Sequence, residues 1–379
     1  MSTPTGVDTE GRWNVHRVAA LPGWACGVAV TASGRLFVSA PQADQPAPMP
    51  TLAEIVDGTA RPFPDEIADQ LTSVQGLRAS PGPPDILYAL DSGVRALSGN
   101  DPSRAALVVI DVTAPAIVRR YQFSGDVVLP STYLNDLTVD AAGTAAYLID
   151  AGGDEPHGLI VLDLATGHAR RVLHDHPTIR ASASPAPGGI TVAGAPLTVH
   201  DPDDGSSPVK IGATGITLAE HDRTLFWNRA DELFSIPVAQ LNDPAGTDAD
   251  VDGAITTWPL RDFASDGLDH DDQGNVLLTD LAHNAVQSLD TATGSYQMLA
   301  TDPDISWPDG VTVAPDGSVY VTSSQIHRST MFGDTDERNP PFAVLRLTRN
   351  EATNTHARAR LLSTRAARRS SRNTLTGLL

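Results

Sequence analysis

One motif recurs six times along this chain, and it constrains the fold more than any other feature. Each copy is a short apolar strand opening at Gly or Asn-Asp, a turn rich in Asp, Gly or Pro, and a second apolar strand. The copies are GVAVTASGRLFVSA from Gly27, GLRASPGPPDILYALD from Gly76, NDLTVDAAGTAAYLID from Asn135, GITLAEHDRTLFWN from Gly215, DGLDHDDQGNVLLTD from Asp266 and DGVTVAPDGSVYVTS from Asp309. Alternating apolar and polar residues mark strands, and Asp316-Gly317 in the last copy is a strong hairpin signal. Most copies lead into a further strand, such as ALVVIDV, GLIVLDL, ELFSIPV, AVQSLDT or FAVLRLT. Amphipathic helices between the strands are missing, which disfavours a parallel α/β fold. Sheets of this kind hide their edges by closing on themselves. The sequence therefore predicts an all-β fold, a six-bladed β-propeller with four-stranded antiparallel blades over residues 1–349. WNVHRVAAL, from Trp13, is expected to complete the last blade beside FAVLRLT.

Two stretches stand apart from the repeats. Residues 41–72 begin Pro-rich and read as an excursion between blades. Residues 350–379 read as a loosely ordered basic tail, with Arg358, Arg360, Arg365, Arg368, Arg369 and Arg372 against Glu351. The whole chain carries −20, so the first 349 residues hold 20 basic against 45 acidic groups, a net −25. An acidic body of that charge repels phosphate and excludes nucleic acid as the expected partner. No apolar run reaches the about 18 residues of a membrane span. Cys26 is the only cysteine, the N-terminus lacks the apolar core of a signal peptide, and there is no Asn-x-Ser/Thr sequon. These features give a cytoplasmic expectation.

The propeller reading turns repeat register into a site. The residues just before each innermost strand collect at one mouth of the central tunnel. They are Trp24, Ala25 and Cys26, then Val74 and Gln75, then Leu134, Asn135 and Asp136, then Ala213 and Thr214, then Ser265 and Asp266, and last Pro308 and Asp309. Trp24, Tyr133 and Trp307 adjoin them and offer faces for a planar ring. Converging carboxyls and an amide suit a cation or an acid–base pair, while an Asp before Gly also bonds turn N–H groups. Asp266 and Asp309 are the expected catalytic carboxyls. His327, after the second strand of the sixth repeat, is the expected proton-transfer histidine. Trp24, Gln75, Tyr133, Asn135, Asp136, Thr214, Trp307 and Gln325 are the expected ligand-binding set.

Other candidates read as structural. His174-Asp175-His176 has the spacing of a same-face pair on a strand but no third ligand in view. His283 and the His221-Asp222 pair read as hairpin-loop residues. Cys26 has no adjacent base or cation to activate it. No GxSxG, P-loop, GxGxxG after a strand, or HExxH occurs.

Several blocks, in order, resemble the yellow/major royal jelly proteins: YLNDLTVD from Tyr133, VLHDHPTIRAS from Val172, SDGLDHDDQGNVLLTDLAHNAV from Ser265, WPDGVTVAPDGSVYVTSSQIHR from Trp307 and NPPFAVLRL from Asn339. The resemblance implies a six-bladed propeller. Members of that family include nutritive proteins, amine-binding salivary proteins and proteins of dopachrome conversion, and related fungal sequences steer cyclisations. SDGL and WPDG are also similar to the metal-ring segments of gluconolactonase/regucalcin propellers. Those carry Glu and Asn-Gly where this chain has Cys26-Gly27 and Thr214-Gly215. The expectation is therefore no metal site and no cofactor, with a Ca²⁺ ion possible in principle but not required. The expected function is rearrangement of a small-molecule substrate by tautomerisation, isomerisation or cyclisation in a pocket at the tunnel mouth. The alternatives are a non-catalytic binder of an aromatic or amine ligand, a metal-dependent lactonase, or an interaction scaffold.

Overall fold

The computed structural model describes residues 13–350, apart from 43, 95–101, 152–156, 184–188, 202–204, 230, 244–247 and 261. Six four-stranded antiparallel sheets make up the propeller. Their innermost strands are Val28–Val30, Val74–Ala79, Leu134–Val139, Ala213–Ala219, Leu268–His270 and Pro308–Val313. Each touches the next around the axis, and the last meets the first. The ring closes through blade six, where Trp13–Leu21 pairs with Phe342–Arg349 from Trp13 opposite Arg349 to Leu21 opposite Phe342. The sequence placed WNVHRVAAL there because its alternation needed a partner edge.

Aliphatic side chains fill the space between blades. Ala29, Phe37 and Leu52 of blade one pack on Leu77, Leu87, Val108 and Ile110 of blade two, all essentially inaccessible. A fully buried Val, Leu or Ile contributes about 1.5–3 kcal/mol, so these interfaces hold the blades together despite the scarcity of aromatics.

The excursion expected at residues 41–72 is corrected. Leu52–Val56 and Thr59–Pro62 are the two outer strands of blade one. Asp57 and Gly58, at φ 50° and 75°, make the two-residue hairpin between them. Pro62 ends an outermost strand, where a missing N–H costs no ladder bond. The prolines of residues 41–50 precede these strands rather than interrupt them.

Between blades three and four, two short hairpins enclosed by a two-stranded ladder interrupt the repeat. Ser182–Ala183 pairs with Lys210–Ile211, Thr191–Val192 with Ala195–Pro196, and Thr198–Asp201 with Gly205–Pro208. Ile190, Val192, Leu197 and Val209 join Ala264, Leu281 and Trp307 in one apolar cluster. The insertion thus reaches blades five and six. Two short helices, Val238–Leu241 and Asp248–Gly253, link the outer strands of blade four. Apart from Asn350, the basic segment 350–379 lies outside the described residues.

Neighbouring blades approach closely where the innermost strands begin. The Gly310 N–H donates to the Cys26 carbonyl at 2.9 Å, and a Cβ there would stand 2.2 Å from that oxygen. Hydroxyls and an amide from the second strands fix this level. Ser39 Oγ, Asn228 Oδ1, Thr279 Oγ1 and Thr322 Oγ1 accept the N–H groups of Gly27, Gly215, Gly267 and Gly310 at 2.9, 2.6, 3.0 and 2.9 Å.

Candidate active site

That level is a small chamber lined by Cys26, Arg78, Asn135, Asp136, Thr214, Asp266 and Asp309, with the ring glycines and the Leu268 and Val311 backbones. Its volume is about 20 Å³, room for a water or one projecting group. Repeat register brings together Asn135, Asp136, Thr214, Asp266 and Asp309. The Asn135 side-chain amide donates to the Thr214 carbonyl at 3.0 Å, and the Thr214 hydroxyl donates to the Asp266 carbonyl at 3.2 Å.

Three carboxyls in so small a space cannot all ionise freely. Burial raises Asp266 to about 6, opposed by hydrogen bonds from Trp307 and Thr214 and reinforced by the charge of Asp136. Asp309 is pushed well above the carboxylate range by burial, then by Asp266 and Asp136, with Ser324 opposing. Asp136 is raised by burial and restrained by Arg78 and by backbone N–H groups. All three keep partly accessible surface because they line the chamber, yet protein encloses them otherwise.

Arg78 is the charged chamber residue that the sequence reading missed. Its guanidinium donates to Asp136 Oδ2 at 3.1 Å and to the carbonyls of Ile216 and Leu268 at 3.2 and 2.9 Å. A blade-two side chain therefore reaches blades three, four and five and floors the chamber. Beyond it the tunnel widens into a cavity of about 730 Å³ among the turns of the opposite face. A charged residue at an inward position of an innermost strand was the available signal.

The expected aromatic walls are engaged with the protein itself. The Trp24 N–H donates to the Asp44 carbonyl at 3.2 Å. Tyr133 bonds through its hydroxyl to the Gln75 side-chain amide, and Gln75 Oε1 lies 3.1 Å from Cys26 Sγ. None of these three, nor Trp307, lines the chamber. Trp307 instead donates its indole N–H to Asp266 Oδ2 at 2.8 Å.

Two further expected residues, Gln325 and His327, also lie outside the chamber. The Gln325 side chain pairs with the Asn339 backbone at 2.9 and 3.0 Å. His327 stacks behind Trp307, and burial, then Arg328, lowers it to about 4. A histidine there is neutral near pH 7 and does not meet the carboxyls. His176 bonds Thr178 and Asp252, and His283 bonds Asp280. Among the described residues, no three His, Cys, Asp or Glu side chains group as metal ligands.

A family model described as major royal jelly protein matches residues 84–356. No curated protein matches the chain. Solved structures share its architecture. A gluconolactonase from Xanthomonas campestris has 13% identity over 90% of each chain, with TM-score 0.56. A luciferin-regenerating enzyme has 11% identity over 89% of this chain and 95% of its own, with TM-score 0.53. The calcium-binding protein regucalcin from Agrobacterium tumefaciens has 14% identity over 88% and 92%, with TM-score 0.52. At these identities the likeness is one of fold.

Proposed function

The chain belongs to the major royal jelly protein family, and we propose that it is an enzyme that rearranges a small organic substrate by moving a proton. One observation carries this reading. Asp266 and Asp309 share a chamber in unlike environments, one bonded by an indole N–H and the other set beside the Ser324 hydroxyl with its carboxyl raised by burial. Two carboxyls held apart in this way divide into a base and an acid. An ionised Asp266 takes a proton from a weakly acidic C–H or O–H group, and a neutral Asp309 returns one elsewhere on the substrate. The result is a tautomerisation, an isomerisation or a cyclisation, with no redox change and no need of a cofactor.

The chamber's size limits what enters to one projecting group, such as a carbonyl. The substrate body then lies on the side covered by Gln75 and Tyr133, away from Arg78, and those side chains part to admit it. The lone Cys26 is in keeping with a reducing, cytoplasmic setting.

The test is solvent-deuterium exchange, read by NMR, on a panel of enolisable ketones and aromatic keto acids. The parent exchanges a C–H of at least one member. Asp266→Asn and Asp309→Asn each slow it by about 10²–10⁴-fold while melting no earlier. Exchange at the parent rate in both variants would overturn the reading. Ligands that raise the melting temperature without exchange would favour a non-catalytic binder instead.

A further inference from the structure

Trp307 stands at φ 48°, in the left-handed region that suits glycine and strains a bulky side chain. Its surroundings hold it there. Its carbonyl accepts the Ser324 backbone N–H at 3.1 Å and the Ser324 hydroxyl at 3.2 Å. Its ring packs on those of His327, 5.9 Å away and 11° from parallel, and Phe332, 5.7 Å away at 33°. Phenylalanine would serve such a stack equally well. What the indole adds is one N–H, and that N–H goes to Asp266 Oδ2. Backbone strain that aims a group at a reactive site points to function.

We infer that Trp307 is a positioning residue that assigns the charge within the carboxyl pair: its N–H holds Asp266 ionised and in one orientation, leaving the retained proton on Asp309. The inference rests on the acid–base reading and adds which carboxyl begins as the base. An indole N–H only donates, so it favours the carboxylate. The Ser324 hydroxyl beside Asp309 both donates and accepts, so it tolerates the protonated acid. The other titratable or charged groups facing the pair are Asp136 with Arg78, Cys26, and Tyr133 beside Asp309. His327 and Arg328 lie behind Trp307, and His327 is neutral where Asp266 ionises.

Carboxyl titrations followed by ¹³C NMR, assigned with Asp266→Asn and Asp309→Asn, read the assignment directly. In Trp307→Phe the Asp266 midpoint rises by about one to two pH units, and the Asp309 midpoint falls in response. The acid limb of the pH–rate profile moves with Asp266. If the phenylalanine variant melts early, benzothienylalanine at position 307 keeps the ring shape without the N–H and gives the same shift. Unchanged midpoints in a folded variant overturn the inference, while loss of turnover in Asp266→Asn still upholds the acid–base reading. Shifted midpoints alongside full activity in Asp266→Asn do the reverse.

Discussion

A Cβ on Gly267 would lie 2.0 Å from the carbonyl oxygen of Asp309. The contact is backbone on one side, so no side chain can swing away to relieve it. The same glycine follows Asp266 directly, so this tight approach of blades five and six adjoins both carboxyls of the chamber. Gly267→Ala is expected to force the blades apart, at a cost of about 1–3 kcal/mol or more, and to disable turnover by separating Asp266 from Asp309. Thermal melting together with the exchange assay checks this. A variant that melts and reacts like the parent would show that the ring widens freely.

The raised carboxyls give stability an inverted pH response. Asp266 titrates at about 6 when folded and at about 3.9 when unfolded. Between those values the folded protein binds more protons than the unfolded chain. The contribution of this group is therefore fully present below about pH 4 and lost as pH rises through about 6. Asp309 acts in the same direction. Asp266→Asn, which still offers Trp307 an acceptor, is expected to be more stable than the parent at pH 7.5 by on the order of 2–3 kcal/mol. That advantage should vanish near pH 4. Melting curves at both pH values decide it, and equal stability at pH 7.5 would refute it.

Much of this architecture was legible because strand alternation and turn chemistry are local. Asp316-Gly317 announced a hairpin, and the start of each innermost repeat strand announced Asn135, Thr214, Asp266 and Asp309. The rest depended on distant contacts. Leu52–Val56 and Thr59–Pro62 were hidden behind the prolines of residues 41–50, although Asp57-Gly58 carried the same hairpin signal. The inserted strands of residues 182–211 are two to four residues long, too short for alternation to register. Gln325 and His327 follow a mouth strand in sequence, but a left-handed turn at Gln325, φ 52°, leads the chain to Asn339 rather than to the tunnel.

Cys26 is expected to resist modification. It is 7% exposed, and burial, then Asp309, Asp136 and Asp266, raises its thiol well above the usual range. Only the thiolate reacts quickly. A disulfide reagent such as dithiobis-nitrobenzoate at pH 8 should label the native protein no faster than it unfolds, and should label it fully in denaturant. Rapid labelling of the folded protein would show that the Gln75–Tyr133 pair beside Cys26 moves aside readily.

Arg78 and Asp136 form the last test, because they join electrostatics to tunnel geometry. Their side chains are 11% and 14% exposed, and the guanidinium also satisfies two carbonyls across the tunnel. Removing the cation alone leaves a buried carboxyl uncompensated and those carbonyls short of a donor. Breaking one side of such a pair costs about 3–5 kcal/mol, so Arg78→Met should lower the denaturation midpoint strongly. Asp136→Asn should cost less, since it removes a carboxyl that burial already disfavours. In the double variant no charge is stranded, and part of the loss should return, giving a coupling of about 1 kcal/mol or more. Denaturant titrations of all four proteins measure it. Strictly additive losses would mean that Arg78 acts only through the Ile216 and Leu268 carbonyls, as a plug between the chamber and the wide cavity, and not as the counter-charge of the carboxyl cluster.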